Sequence, residues 1–380
     1  MTVGLMNDNW RIKKLGEILK LEYGKPLPKS ERISDGKFPV YGANGIKSWS
    51  DTYYYDNGSI IVGRKGSAGE LTLTKGKFWP LDVTYYVTFD KKKYDLQFIY
   101  RLLQTLNLQG LAKGVKPGIN RNDVYAISVN IPDSLNEQKR IVKKLDEAFE
   151  KIEKAKNNTE KNLQNARELF ESYINSIFNN PGEDWETCPL VKHVRFIDYR
   201  GKTPQKTESG MRLITAKNVK NGFLQEFPQE FVDPDIYDNW MTRGIPKKGD
   251  ILFTSEAPLA NIAQLDTDKK VIFAQRIIIL QPDQNKIDQT FLKYLLLSKP
   301  VKDRIFTKAT GATVQGIKAS LLKQIEIYFP EDLAQQKSIV KKLDALSGQT
   351  KKLEETYKKK LENLGELKKS ILHKAFTGEL

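Results

Sequence analysis

Side chains suited to catalysis are scarce in this sequence. Its 380 residues include one cysteine, Cys188, and two histidines, His193 and His373. A single cysteine can close no internal disulfide and build no thiolate metal cage, which points to a reduced, intracellular setting. Two histidines leave little for zinc sites, Ser-His-Asp triads or Cys-His dyads. Long apolar runs are missing too: Ile277 to Leu280 and Tyr294 to Leu297 fall far short of the ~20 residues that span a bilayer. Met1 to Trp10 has no basic and apolar leader, so neither export nor membrane anchoring is expected, and a cytoplasmic location is. Positive charge, by contrast, is plentiful. With 62 Lys plus Arg against 47 Asp plus Glu the net charge is +15, which favours a polyanionic partner, nucleic acid ahead of an anionic membrane surface. A hydrophobic content of 39% is enough to build cores, and the length suggests two or three domains.

The chain repeats itself. Residues 137 to 146 read Glu-Gln-Lys-Arg-Ile-Val-Lys-Lys-Leu-Asp and residues 335 to 344 read Gln-Gln-Lys-Ser-Ile-Val-Lys-Lys-Leu-Asp, an offset of 198. Held without gaps from Gly118 to Phe178 against Gly316 to Phe376, that offset gives 21 identities in 61 positions, including Pro132/Pro330 and Leu169/Leu367. Upstream, Trp10 to Leu15 recurs as Trp185 to Leu190 at an offset of 175, so the second copy has gained 23 residues net between these anchors.

Each copy has a mixed front and a helical back. In the first front, Ser59 to Gly63 and Val83 to Phe89 are β-branched and aromatic segments bounded by Gly and Pro, which predicts strands. Leu96 to Leu108 has helical spacing, and Ala126 to Ile131 is a further strand stopped by Pro132. The second front repeats the order with Asp250 to Thr254, Val271 to Leu280, Gln289 to Leu297 and Gln324 to Phe329. The predicted fold class is α+β.

The backs are proline-free candidate helices at 137–178 and 335–376, each ~63 Å long if continuous. Apolar residues fall at alternating steps of four and three: Ile141, Leu145, Ala148, Ile152, Ala155, then Ala166, Leu169 and Tyr173. The second helix follows in register with Ile339, Leu343, Leu346, Leu353, Tyr357, Leu364, Leu367 and Ile371, interrupted like the first by polar residues, here Thr350 and Lys360, there Thr159 and Asn162. This is a heptad seam. Two surface helices packed only on their own domains are the plainer reading, but helices this long seldom lack a partner. An antiparallel coiled-coil pairing is expected, with the two fronts at opposite ends and related by an approximate two-fold axis. The expected divisions are a first front at 1–136, a helix at 137–178, a linker at 179–184, a second front at 185–334, and a second helix with a short tail at 335–380.

Catalytic patterns are few and weak. Gly63-Arg-Lys-Gly66-Ser-Ala-Gly69 is neither a dinucleotide fingerprint nor a P-loop; it reads as a tight turn bringing backbone amides and Arg64/Lys65 to a phosphate or base edge, or as a plain hairpin turn with solvated basic residues. Pro132-Asp133 with Glu137 and Lys139 resembles a metal-dependent nuclease arrangement, but the acids stand too close together and the second copy has Gln335 in place of the glutamate. Capping and dipole compensation of the helix by Asp133, Ser134 and Glu137 is the better account. No catalytic residue and no metal site is expected. The helices carry 20 Lys plus Arg and 13 Asp plus Glu, much of it solvated flank beside the seam. In the fronts, Tyr41, Asn44, Arg64, Lys65, Lys116, Asn120 and Arg121 on one side, and Arg200, Lys202, Lys217, Asn218, Gln275, Arg276, Gln315 and Lys318 on the other, are candidates for contacting DNA. Arg suits guanine, and Asn or Gln suits adenine.

The two Gln-Lys-x-Ile-Val-Lys-Lys-Leu-Asp segments that open long helices, and the ending Leu367-Lys-Lys-Ser-Ile-Leu-His-Lys-Ala-Phe-Thr-Gly-Glu-Leu380, resemble the specificity (S) subunit of type I restriction-modification systems. So do Thr310-Gly-Ala-Thr313 followed by Gly316-Ile317, Tyr199-Arg-Gly-Lys-Thr-Pro204, and Tyr41-Gly with Gly63-Arg-x-Gly-Ser67. The first copy departs from the pattern: Gly24-Lys-Pro-Leu-Pro28 stands for Gly-Lys-Thr-Pro, and Gly114-Val-Lys-Pro-Gly118 replaces Thr-Gly-Ala-Thr. The resemblance implies two target-recognition domains, each reading half of a bipartite site in double-stranded DNA, and it adds Ser67, Thr203, Thr310 and Thr313 to the residues expected to contact DNA. It also implies that the helices dock two methyltransferase (M) subunits and, through them, restriction (R) subunits. S-adenosylmethionine, ATP and Mg²⁺ would belong to those partners, and this chain would hold no cofactor and be non-catalytic. A stand-alone metal-dependent nuclease or DNA methyltransferase, and a coiled-coil scaffold that binds only protein, are the competing readings.

Overall fold

The computed structural model describes residues 10–201, 203–274, 276–311 and 313–380. Helices and strands are mixed throughout, and the contacts divide the chain into two compact units, 1–160 with 359–380, and 161–358. Each unit therefore contains one front and half of each long helix.

The two units share one plan. In the first, an antiparallel sheet runs in the order Leu19–Tyr23, Thr84–Phe89, Ile60–Gly63, Leu71–Leu73. In the second, Val194–Asp198, Ile277–Pro282, Ile251–Thr254 and Ile262–Gln264 follow the same order. A smaller sheet flanks each one and contains a single parallel pairing, Val40 with Trp79 in one unit and Leu213 with Ile272 in the other. The Trp-x4-Leu anchors are the start of a strand that closes each front, Trp10 pairing with Pro132 and Trp185 with Pro330. Between equivalent elements the offset climbs from 175 for the first sheet strand to 191 at Ile60/Ile251, 193 at Thr84/Ile277 and 198 at Arg121/Ala319. The extra residues of the second copy thus fall in three segments between the shared elements, 198–251, 264–277 and 297–319, the last of which carries the helix Lys299–Thr307.

Expected elements are present with small shifts: the helix Leu96–Thr105 ends early, and the strands Ser128–Pro132 and Glu326–Pro330 take in the prolines thought to stop them. The stretch Val271 to Leu280 is two strands, Ile272–Phe273 and Ile277–Pro282, separated by a segment in which Arg276 has φ +79. That left-handed residue breaks the ladder and turns the chain from one sheet to the other.

The long helices span Leu135–Phe178 and Leu333–Thr377. In the first unit the Lys368 ammonium lies 5.1 Å from the Phe149 ring centroid and Arg140 donates to the Leu380 carbonyl at 2.8 Å, so the two helical segments run in opposite directions. In the second unit, Arg167 pairs with Glu354 at 3.1 Å, while Ile174 and Phe178 share a core with Leu343. The heptad expectation needs a correction. Leu169, Leu353 and Leu367 are 52%, 41% and 46% exposed, whereas the supposed interruptions Thr159 and Thr350 are buried. Each threonine hydroxyl donates to the carbonyl four residues back, at 2.7 and 3.0 Å, and so enters the seam with its hydrogen bond satisfied. A 3.6-residue helix drifts by roughly 20° per heptad, and the buried stripe of the first helix moves accordingly from Ala166 to Ile174 and Phe178. There it meets the front, Phe178 packing on Phe291 at 5.5 Å.

Candidate nucleic-acid interface

The glycine-rich loop and its counterpart are built on one hydrogen-bond frame. In the first front, Gly63 N–H donates to Glu70 O, Gly69 N–H to Gly63 O, Arg64 N–H to Val83 O and Ile119 N–H to Arg64 O, at 2.8, 2.8, 2.9 and 3.0 Å. In the second, the same four bonds run from Thr254 to Asn261, Ala260 to Thr254, Ser255 to Arg276 and Ile317 to Ser255, at 3.0, 2.9, 2.8 and 2.9 Å. A short hairpin is pinned against each loop: Lys113 bridges to Gly118, which also bridges to Lys65, and Thr310 bridges to Gly316, which also bridges to Glu256. Val115 at one hairpin tip is fully exposed, and Val314 at the other is 53% exposed. Gly69 has φ +84, and a Cβ there would lie 2.6 Å from the Gln109 nitrogen, which explains that glycine. In the second loop the left-handed turns fall on Ala257 and Ala260, with φ 47 and 61. Together with Arg276, these are all the positive-φ non-glycine residues among the described ones, so backbone strain is concentrated at this loop.

On this shared frame the side chains differ. In the first front the Arg64 guanidinium donates to the Asp82 carbonyl at 2.6 and 3.0 Å and lies 5.4 Å from the Tyr23 ring centroid. Arg121 approaches the same ring at 5.1 Å, and Tyr23 leans on Tyr85 at 5.1 Å. Burial, reinforced by the neighbouring Tyr23 phenol, pushes the Tyr85 phenol up to about 12, so it stays neutral and donates to the Ile119 carbonyl at 3.2 Å. The result is a pair of arginines on an aromatic floor. The second front instead holds its arginines with carboxylates. Arg200 grips Asp198 with two bonds of 2.8 and 2.7 Å and reaches the Ile317 carbonyl, and Arg276 pairs with Glu256 at 3.1 Å. Burial works against ionisation of Asp198, but the Arg200 bonds outweigh it and hold the carboxyl below its usual range. Arg200, Glu256 and Arg276 line an open cleft of about 390 Å³ with Ser255, Thr310 and Lys318.

The candidate residues therefore fall into groups. Arg64, Lys65 and Arg121 come together at the first loop, with Lys116 exposed on the adjoining hairpin. Arg200, Arg276, Thr310 and Lys318 line the second cleft, and Thr313 and Gln315 are exposed on its hairpin. Asn44 is exposed in a two-residue turn, Ser67 is half-buried, and Thr203 is exposed. Lys217 is exposed and pairs with Glu230 at 3.3 Å. Asn120 caps a short helix by accepting the Asn122 N–H at 2.9 Å. Two expectations are corrected. Tyr41 is buried edge-on against Phe78, and Asn218 is buried with its oxygen accepting from Thr215 and its amide donating to the Gln225 and Pro228 carbonyls. Both support loops from inside the core and offer no free edge to a base. Lys202 and Gln275 lie outside the described residues. Sequence reasoning missed Tyr23, Asp198 and Glu256; only the structural equivalence of the two loops singles them out.

The nuclease-like acids are engaged elsewhere. Asp133, expected to cap the helix, turns to Arg11 and Lys13 at 2.6 and 2.8 Å, and the Lys13 bond holds its carboxyl below the ordinary value. Glu137 forms a two-bond pair with Arg140, and only Ser134 accepts a helix N–H, from Glu137 at 3.4 Å. Glu186, Cys188 and His193 bring three ligand atoms within 4.8 Å of one another, but the cationic place beside Glu186 is filled by the Lys192 ammonium at 2.6 Å. Burial raises the Cys188 thiol, which keeps it protonated. No helix among the described residues is long and apolar enough to cross a membrane.

Residues 7–161 and 200–363 match the family described as the type I restriction modification DNA specificity domain. The chain is 27% identical to the MjaVIII type I restriction enzyme specificity subunit of Methanocaldococcus jannaschii, over 98% of this chain and 93% of that one. It is 23% identical to the EcoDI specificity subunit of Escherichia coli, over 100% and 90%. In fold it is similar to a chain solved in work on the assembly of a type I R-M system, with TM-score 0.77, 17% identity and 99% of each chain covered. It is likewise similar to the HsdS subunit of Thermoanaerobacter tengcongensis, with TM-score 0.60, 18% identity and 100% of each chain covered.

Proposed function

The chain belongs to the type I restriction-modification DNA specificity family, and on that premise we propose that its two recognition domains, 1–136 and 185–334, each read one half of a bipartite site in double-stranded DNA. The reading is supported above all by one observation: two loops with the same backbone bonds carry different polar side chains, arginines over tyrosines in one and arginine–carboxylate pairs in the other. A duplicated frame gives both domains the same approach to a groove, and divergent side chains give them different bases to recognise. Net charge of +15 supplies the sequence-independent attraction to phosphate.

The long helices act in this reading as spacer and as docking surface for two M subunits, which bring in the R subunits. Half-sites read by one rigid protein must face the same side of the duplex, near a whole number of helical turns apart, and a helical spacer meets that demand. Methyl transfer and cleavage fall to the partners, and this chain is non-catalytic and acts in the cytoplasm. The test is selection from random duplex DNA by the full chain with and without M subunits. Enrichment of one bipartite motif is expected; a scaffold would enrich none, and methylation or cleavage by the purified chain alone would favour the enzyme reading.

A further inference from the structure

Lys65 and Glu256 occupy the same place in the two loops. Each follows the residue whose carbonyl accepts from Ile119 or Ile317, and each forms the bridge to the hairpin glycine, Gly118 or Gly316. Lys65 is exposed, and the Glu256 side chain is 46% exposed, so both project from a fixed backbone toward solvent. The position thus carries an ammonium in one domain and a carboxylate in the other. Next to Glu256 stands Arg276, whose left-handed backbone places it within 3.1 Å of the carboxylate; the residue at its place in the first domain is Val83, as the bonds to Arg64 and Ser255 establish.

Resting on the proposed function, we propose that the position shared by Lys65 and Glu256 is a specificity-determining site and that its charge inversion is one reason the two half-sites differ. An ammonium can only donate, and in the major groove it suits the O6 and N7 acceptors of guanine. An ionised carboxylate can only accept, and it suits the cytosine N4 amino group. The Arg276 partner, 3.1 Å away, holds the Glu256 carboxylate in place and offsets the repulsion a lone carboxylate would feel from phosphates.

The test is selection from random duplex DNA by the full chain assembled with its M subunits, comparing wild type, Lys65→Glu, Glu256→Lys and Glu256→Gln. Glu256→Lys is expected to move one position of one half-site from cytosine toward guanine by about ten-fold, leaving the other half-site intact. Lys65→Glu is expected to do the reverse at one position of the other half-site. Glu256→Gln, isosteric and half-exposed, should weaken the cytosine preference even if the lysine variant folds poorly. A uniform loss of affinity with all base preferences retained, or changes spread over both half-sites, would assign Glu256 to structure alone and overturn the inference. A wild-type chain that enriches no bipartite motif would instead overturn the proposed function, and this inference with it.

Discussion

The buried Gln138 side chain accepts the backbone N–H of Asp95 at 2.9 Å and donates to the carbonyls of Lys93 and Pro132 at 3.0 and 3.1 Å. Gln336 repeats the arrangement with Asp288 at 2.8 Å and the carbonyls of Lys286 and Pro330 at 2.8 and 2.7 Å. Asp95 and Asp288 are themselves the N-caps of the front helices Leu96–Thr105 and Gln289–Leu297. One glutamine in the first turn of each long helix therefore ties that helix to the last strand and the main helix of its front.

Replacing Gln138 with methionine keeps the volume and strips three backbone groups of their partner, that of Pro132 in a buried bond and those of Lys93 and Asp95 in part-buried ones. At ~1–3 kcal/mol per unsatisfied group, partly relieved by relaxation, the loss should be about 3 kcal/mol, and Gln336→Met should cost a similar amount. Urea denaturation of each variant checks this; a loss below about 1 kcal/mol in both would mean the tie is ornamental.

Asp198 gives a pH prediction. Its folded pKa lies below the unfolded value, so its contribution is complete above the unfolded value of about 4 and fades as pH falls through the folded one. Wild type should therefore exceed Asp198→Asn in stability by a constant margin from about pH 7 to pH 5, with the margin closing below about pH 4. A margin that instead changes between pH 7 and pH 5 would contradict the assignment.

Asp133 is an exposed and Glu137 a half-buried ion-pair partner near the surface, so Asp133→Ala with Glu137→Ala should cost at most about 1 kcal/mol per pair. Cleavage and DNA binding by the assembled complex should both survive. Loss of cleavage with binding retained would restore the nuclease reading.

The repeat, the fold class and the long helices were legible because duplication and heptad periodicity leave marks at fixed spacing. Gln138 and Gln336 stood in plain view as repeat markers, yet their role was not, since a glutamine opening a Lys-rich helix looks solvated until the strand carbonyls close over it. Tyr41 and Asn218 were misread for the opposite reason: polar groups suited to a base edge are equally suited to loop carbonyls, and only burial separates the two. Glu256 was invisible because the loops around it share geometry without sharing sequence, with Gly63, Gly66 and Gly69 facing Thr254, Ala257 and Ala260.

The spacer role predicts that removing one heptad from each helix, 149–155 together with 347–353, leaves the half-sites unchanged and shortens the preferred spacer, since seven helical residues rise ~10 Å. Selection by the shortened chain with its M subunits measures it. An unchanged spacer would sink the ruler idea while leaving the recognition domains intact.

The central claim is that this chain alone chooses the DNA sequence on which its partners act. Sequencing DNA methylation in the source cell with and without this gene tests it most directly. The account predicts a bipartite methylated motif, two short specified halves around an unspecified gap, that disappears when the gene is deleted. Methylation unchanged by the deletion, or a lost motif that is continuous, would contradict it.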